Sequence, residues 1–97
     1  MSEMYNQVSW MTGADQAILD TLVTTDLILS AAVIARNRGF DNDYIGERCR
    51  EMTKRGLLWR DDKEGTPMYQ LTELGQLVAN RKFDPEEIEE QTRIEEN

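Results

Sequence analysis

Histidine is absent from the 97 residues, which removes imidazole ligands, histidine bases and every Ser-His-Asp arrangement. The single cysteine, Cys49, excludes an internal disulfide and a multi-cysteine zinc site. No apolar run approaches the ~20 residues that a membrane span needs, and no signal peptide is read at the start of the chain. A glycine-rich phosphate loop is missing as well. No catalytic residue, cofactor or metal is therefore expected, and the chain reads as non-enzymatic. Only a carboxylate pair remains for an enzyme to use, and nothing in the pattern places one in a pocket. Aromatic residues make up 7% and apolar residues 39%, enough for one modest core and one domain.

Charge is what the chain has in excess: 11 Lys and Arg against 19 Asp and Glu, a net of −8. That balance argues against nucleic acid, whose partners are usually basic. The cations are eight arginines and three lysines, and an acid-rich, lysine-poor surface is what halophilic proteins show; an ordinary acidic cytosolic protein would look the same. The distribution differs from the average. Residues 1–35 carry −4, residues 36–60 carry +3, residues 61–83 carry −1 and residues 84–97 carry −6. One segment is basic within an acidic protein, as a small anion-binding face requires, although a solvated helix face of mixed charge gives the same count.

Met4, Val8 and Met11 have helical spacing, with Tyr5 and Trp10 beside them, so residues 1–11 read as a short helix or a packing arm. Thr12 is a good N-cap with Asp15 three residues on. Ala14, Ile18, Leu19, Leu22 and Val23 form the stripe of a core helix over about 13–24. Leu27 to Leu29 suits a short strand. Ser30 caps a second helix to Arg38, Gly39 supplies a left-handed turn, and Phe40 is expected to be a buried connector. Asp41 caps a third helix to Arg55, with Ile45, Cys49 and Met52 inward. Residues 57–71 read as a β-hairpin around Asp61–Gly65, and Thr72 caps a fourth helix with Leu74, Leu77 and Val78 inward. Asp84-Pro85-Glu86-Glu87 is a helix-start signature, so 84–97 is expected to be a solvated acidic helix or a tail.

Two helices joined at a glycine and followed by a hairpin describe a winged helix-turn-helix, mainly α with a small β-hairpin, over residues 12–83. Ala35, Gly39 and Ile45 fall at positions 5, 9 and 15 of the unit: a small residue where the helices cross, a glycine at the turn, and an aliphatic residue pinning the second helix. Residues 41–55 are then the recognition helix and 57–71 the wing.

Three stretches resemble the halophage Phi-H repressor family of haloarchaeal winged-helix proteins. Trp10-Met11-Thr12-Gly13-Ala14-Asp15 with Ile18-Leu19 resembles its opening. Residues 44–58, Tyr44 to Leu58, resemble its recognition helix and the exit into the wing, and Tyr69-Gln70-Leu71-Thr72-Glu73-Leu74-Gly75 resembles the wing exit. The chain departs from the pattern at Gly46-Glu47, where family members often carry Ser-Arg, and at Arg38, where an apolar residue is usual. The resemblance implies a repressor-like transcriptional regulator, sequence-specific for double-stranded DNA. It implies too a homodimer on a palindromic operator, in the salt-rich cytoplasm of an archaeon.

The candidate DNA-binding residues are Asn42, Tyr44, Glu47, Arg48, Arg50, Lys54, Arg55, Arg60 and Lys63. Arg48 and Arg50 can take a guanine edge in a bidentate fashion and Tyr44 a phosphate or thymine methyl. A solvated face with Glu47, Glu51 and arginine salt pairs is the alternative for all three. Asn42 is read as a contact and Asp43 as a cap. Lys54, Arg55 and Arg60 are assigned to phosphate or solvent rather than bases, and Arg36 to its own helix dipole. Cys49 reads as a small buried hydrophobe rather than a redox switch. Glu86, Glu87, Glu89 and Glu90 read as a solubilising run rather than a cation site. The acidic wing and the Gly46-Glu47 pair leave a second reading, a winged-helix adaptor that has lost DNA binding.

Overall fold

The computed structural model describes residues 8–94. Chain order from residue 12 follows from successive N-caps. Thr12 and Asp15 close a reciprocal capping box, each side chain accepting from the other's backbone N–H at 3.2 and 2.9 Å, and open α1 (Gly13–Thr25). Asp26 ends α1 in the left-handed region, its N–H donating to the Leu22 carbonyl. Ser30 caps α2 (Ala31–Arg38), Asp41 caps α3 (Asn42–Lys54), Thr72 caps α4 (Glu73–Ala79) and Asp84 caps α5 (Pro85–Gln91), each accepting a backbone N–H from the first turn.

Between α2 and α3 the chain turns at Gly39, with φ of 74°, which a side chain would strain. The Phe40 N–H donates to the Ala35 carbonyl at 3.0 Å. Phe40 is not the buried connector expected of it: Ile34, Ala35 and Ile45 already fill the core at the helix crossing, and the ring is left 37% exposed.

The wing is β2 (Leu58–Asp61) paired antiparallel with β3 (Met68–Leu71), in the register Leu58↔Leu71 to Asp61↔Met68. A two-residue strand, β1 (Leu29–Ser30), joins the other edge of β3, giving the order β1-β3-β2. The strand expected at Leu27–Leu29 is thus shifted toward Ser30, because its partners are Tyr69 and Met68; Leu27 and Ile28 stay exposed.

The core joins Ile18, Leu19 and Leu22 of α1, Ile34 of α2, Ile45, Cys49 and Met52 of α3, Leu57, Tyr69 and Val78. Gly75 lies buried against the wing's start, and a Cβ there would overlap the Leu57 carbonyl. That approach places Gly75, Val78 and Ala79 on the inner side of α4 and turns Leu77 outward, against expectation. The acidic C-terminal segment forms α5, whose Ile88 is buried, as is Thr92 just beyond it. Val8 is also part of the core, with Trp10 and Met11 packed against it; Met4 and Tyr5 lie outside the described residues.

Candidate nucleic-acid interface

The side chains of α3 divide among three directions. Ile45, Cys49 and Met52 are fully buried and anchor the helix. Burial in that apolar stripe pushes the Cys49 thiol up to about 12, so it stays protonated at neutral pH, as an inert core residue does.

A second flank, with Arg48, Glu51 and Arg55, turns toward the chain termini. The Arg48 guanidinium forks onto Asp15, Nε to Oδ1 at 2.9 Å and Nη2 to Oδ2 at 2.8 Å, and Nη2 also donates to the Trp10 carbonyl. Asp15 is fully buried, so its charge is matched inside the protein by Arg48 and by the Thr12 N–H. The hydrogen bonding that Arg48 donates to Asp15 raises the Arg48 pKa above its ordinary value. Arg55 donates to Glu51 at 2.8 Å and to the Thr92 carbonyl at 3.0 Å, with its guanidinium 4.6 Å from the centre of the Trp10 ring. The Trp10 indole N–H donates to the Thr92 hydroxyl at 2.8 Å, and the Ser9 N–H to the Glu89 carboxylate. Arg48 and Arg55, both candidate DNA-binding residues, are therefore engaged within the fold, on Asp15 and on Glu51 and Thr92. The sequence marks Asp15 only as a cap of α1; its burial opposite Arg48 follows from the meeting of α1 and α3.

The third flank carries Asp43, Glu47, Arg50 and Lys54 at i, i+4, i+7 and i+11, all exposed, with Asn42 at the helix start. Among the described residues Glu47, Arg50 and Lys54 make no ion pair. Arg50 lies along the helix over Gly46, where an added Cβ would sit 3.5 Å from its Nη1. Asn42, Asp43, Glu47 and Arg50 border a cleft of about 510 Å³ whose other walls are the start of α2 (Ser30, Ala31, Ala32) and the wing residues Thr66 and Pro67, while Lys54 lies further along, beside Trp10, Glu51 and Arg55. Those α2 and wing residues went unassigned in the sequence, because the cleft exists only once β1 and β3 pair. Tyr44 is 39% exposed on the first turn of α3, four residues before Arg48.

On the wing Arg60 donates to Asp62 at 2.8 Å, and the Lys63 N–H to Asp61 at 2.9 Å, so the tip is held by its own carboxylates. Lys63 keeps an exposed side chain. Trp59 is 61% exposed on the wing, a feature with no sequence signal beyond strand alternation. Arg36 and Arg38 are exposed at the end of α2. No helix among the described residues is long and apolar enough to cross a membrane.

A tight two-helix unit whose second helix shows solvent a polar face, flanked by a β-hairpin, defines a winged helix-turn-helix protein. The chain belongs to the winged helix-turn-helix phage repressor family, matched over residues 4–91. It is similar to the repressor protein of Halobacterium phage phiH, 39% identical over 87 residues that cover 89% of this chain and 98% of that protein. No solved structure matches.

Proposed function

We infer that this chain is a DNA-binding, repressor-like regulator that lays the Asn42–Glu47–Arg50–Lys54 side of α3 in the major groove of duplex DNA. One observation carries the reading: α3 is held on one side by the buried Ile45, Cys49 and Met52 and on a second by the Arg48 and Arg55 hydrogen bonds, while its third side exposes Arg50, beside an open cleft, and Lys54, neither with an ion pair among the described residues. Rigid support with a solvent-facing polar edge is what groove reading needs. The start of α2 at Ser30–Ala32, half-buried at Ser30 and Ala31, forms the opposite wall of the cleft, where a helix N-terminus suits a phosphate. Lys63 and Arg60 are assigned to the flanking backbone, with the wing a weak contributor because Asp61, Asp62 and Glu64 surround them.

Finer parts of the proposal are a homodimer on a palindromic operator and work in the salt-rich cytoplasm of an archaeon. Support for the dimer is the exposure of Leu27, Ile28, Trp59 and Leu77, which a second copy would cover. Support for the salt-rich setting is the net charge of −8 and the halophage relative. Light scattering in high salt should give about twice the 11.2 kDa chain mass; a monomer at tens of micromolar ends the dimer proposal. The acidic wing tip favours a second reading, a protein adaptor without DNA. A gel shift on the duplex upstream of the protein's own coding sequence separates the two. Retardation competed by that duplex and not by unrelated DNA supports the regulator, and no retardation supports the adaptor.

A further inference from the structure

We propose that Glu47 is a specificity-determining residue that accepts a hydrogen bond from the N4 amino group of a cytosine in the major groove. The inference rests on α3 being the groove-reading helix. Glu47 is exposed in the middle of the outward flank, has no ion pair or hydrogen bond among the described residues, and borders the same cleft as Asn42 and Arg50. A carboxylate in that position only accepts hydrogen bonds. Phosphate repels it, and so do guanine O6 and N7 and thymine O4, all of them acceptors. The major-groove donors are the amino groups of cytosine and adenine. Adenine presents the N7 acceptor beside its amino group, against which the second carboxylate oxygen is repelled, whereas cytosine presents no acceptor there. Cytosine is the match.

Arg50 completes the edge. It follows Glu47 by three residues, so the two side chains are neighbours on the helix, about 4.5 Å apart along its axis. That rise is close to the ~3.4 Å step between bases on one strand. The guanidinium lies over Gly46, where no side chain intervenes. An acceptor and a five-donor fork side by side suit a cytosine next to, or paired with, a guanine. The negative charge also penalises every duplex that lacks the amino group, so Glu47 acts partly by rejection.

The test is selection from a duplex pool with a randomised core, using the full chain and its Glu47→Gln and Glu47→Ala variants, with circular dichroism to verify folding. The wild type should enrich a C·G pair at a defined position. Glu47→Ala should flatten that position, reducing its preference by about tenfold. Glu47→Gln should move the preference toward adenine, whose N6 and N7 match a side-chain amide. An unchanged consensus in both variants, or uniformly tighter binding to all duplexes, overturns the proposal and leaves Glu47 a charge penalty only. Failure of the wild type to enrich any sequence overturns the DNA-binding reading itself, and this inference with it.

Discussion

Two residues apart on α3, Arg48 reaches back to the buried Asp15 carboxylate while Arg50 lies along the outward face over Gly46. A helix turns about 100° per residue, so neighbouring arginines of the same type meet different environments. Replacing Arg48 by Ala leaves the buried Asp15 carboxylate without its guanidinium partner and, among the described residues, with only the Thr12 N–H. The expected loss is about 2–4 kcal/mol of folding stability, read as a lower urea midpoint. Replacing Arg50 by Ala should change stability by less than ~0.5 kcal/mol and weaken DNA binding by about 1–3 kcal/mol. Equal urea midpoints for the two variants would show that the Asp15 pair does not hold α3. From sequence both arginines carried the same assignment, because composition and spacing place a charge on a helix without saying what lies opposite. Asp15 was legible as a capping residue, and its second role depends on α1 and α3 crossing at that point.

At the scale of elements, the helices were legible because each opens with a hydrogen-bonding cap: Thr12, Ser30, Asp41, Thr72 and Asp84 all stand where their helices begin. Facing was less legible for short elements. α4 has seven residues, too few for periodicity to choose between Leu77 and Gly75 as the inward position, and only the Leu57 backbone decides it. The acidic composition of 84–97 hid the docking of α5, which rests on Ile88, Thr92 and a few polar contacts. One of these is titratable. The backbone N–H of Ser9 donates to Glu89 and holds its carboxyl below the ordinary value. A depressed carboxylate pKa stabilises the folded form above the unfolded value and loses that contribution as pH falls through the lowered one. Docking of α5 should therefore be complete above the ordinary glutamate pKa of ~4.3 and loosen below it. In a Trp59→Phe background, Trp10 fluorescence should report that loosening, and Glu89→Gln should remove this pH dependence. A Trp10 signal with the same acid dependence in Glu89→Gln would assign the transition to other carboxylates.

Over the whole molecule, a net charge of −8 must meet a polyanion through a few well-placed cations. Arg48, Arg55 and Arg60 pair with Asp15, Glu51 and Asp62, so the +3 of residues 36–60 overstates what DNA meets. Arg50, Lys54 and Lys63 provide about three contacts per protomer, which by counterion release gives a slope of log K on log salt near −3, or about −6 for a dimer. Salt also screens repulsion between DNA and the acidic remainder, with a Debye length of ~3 Å at 1 M, and relieves self-repulsion in the fold. Both effects oppose the counterion term. The most direct measurement is fluorescence anisotropy on the duplex upstream of the protein's own coding sequence, titrated across potassium chloride for the wild type and Arg50→Ala/Lys54→Ala, with circular dichroism recorded alongside. The wild type should give a slope shallower than about −6, with specific binding still detectable near ~1 M salt and affinity at least about tenfold weaker in the variant. Wild-type binding that is tight at ~0.1 M and gone by ~0.5 M with the fold intact would contradict the salt-adapted reading. Equal affinity and slope in the folded variant would contradict the central claim that the outward face of α3 grips DNA.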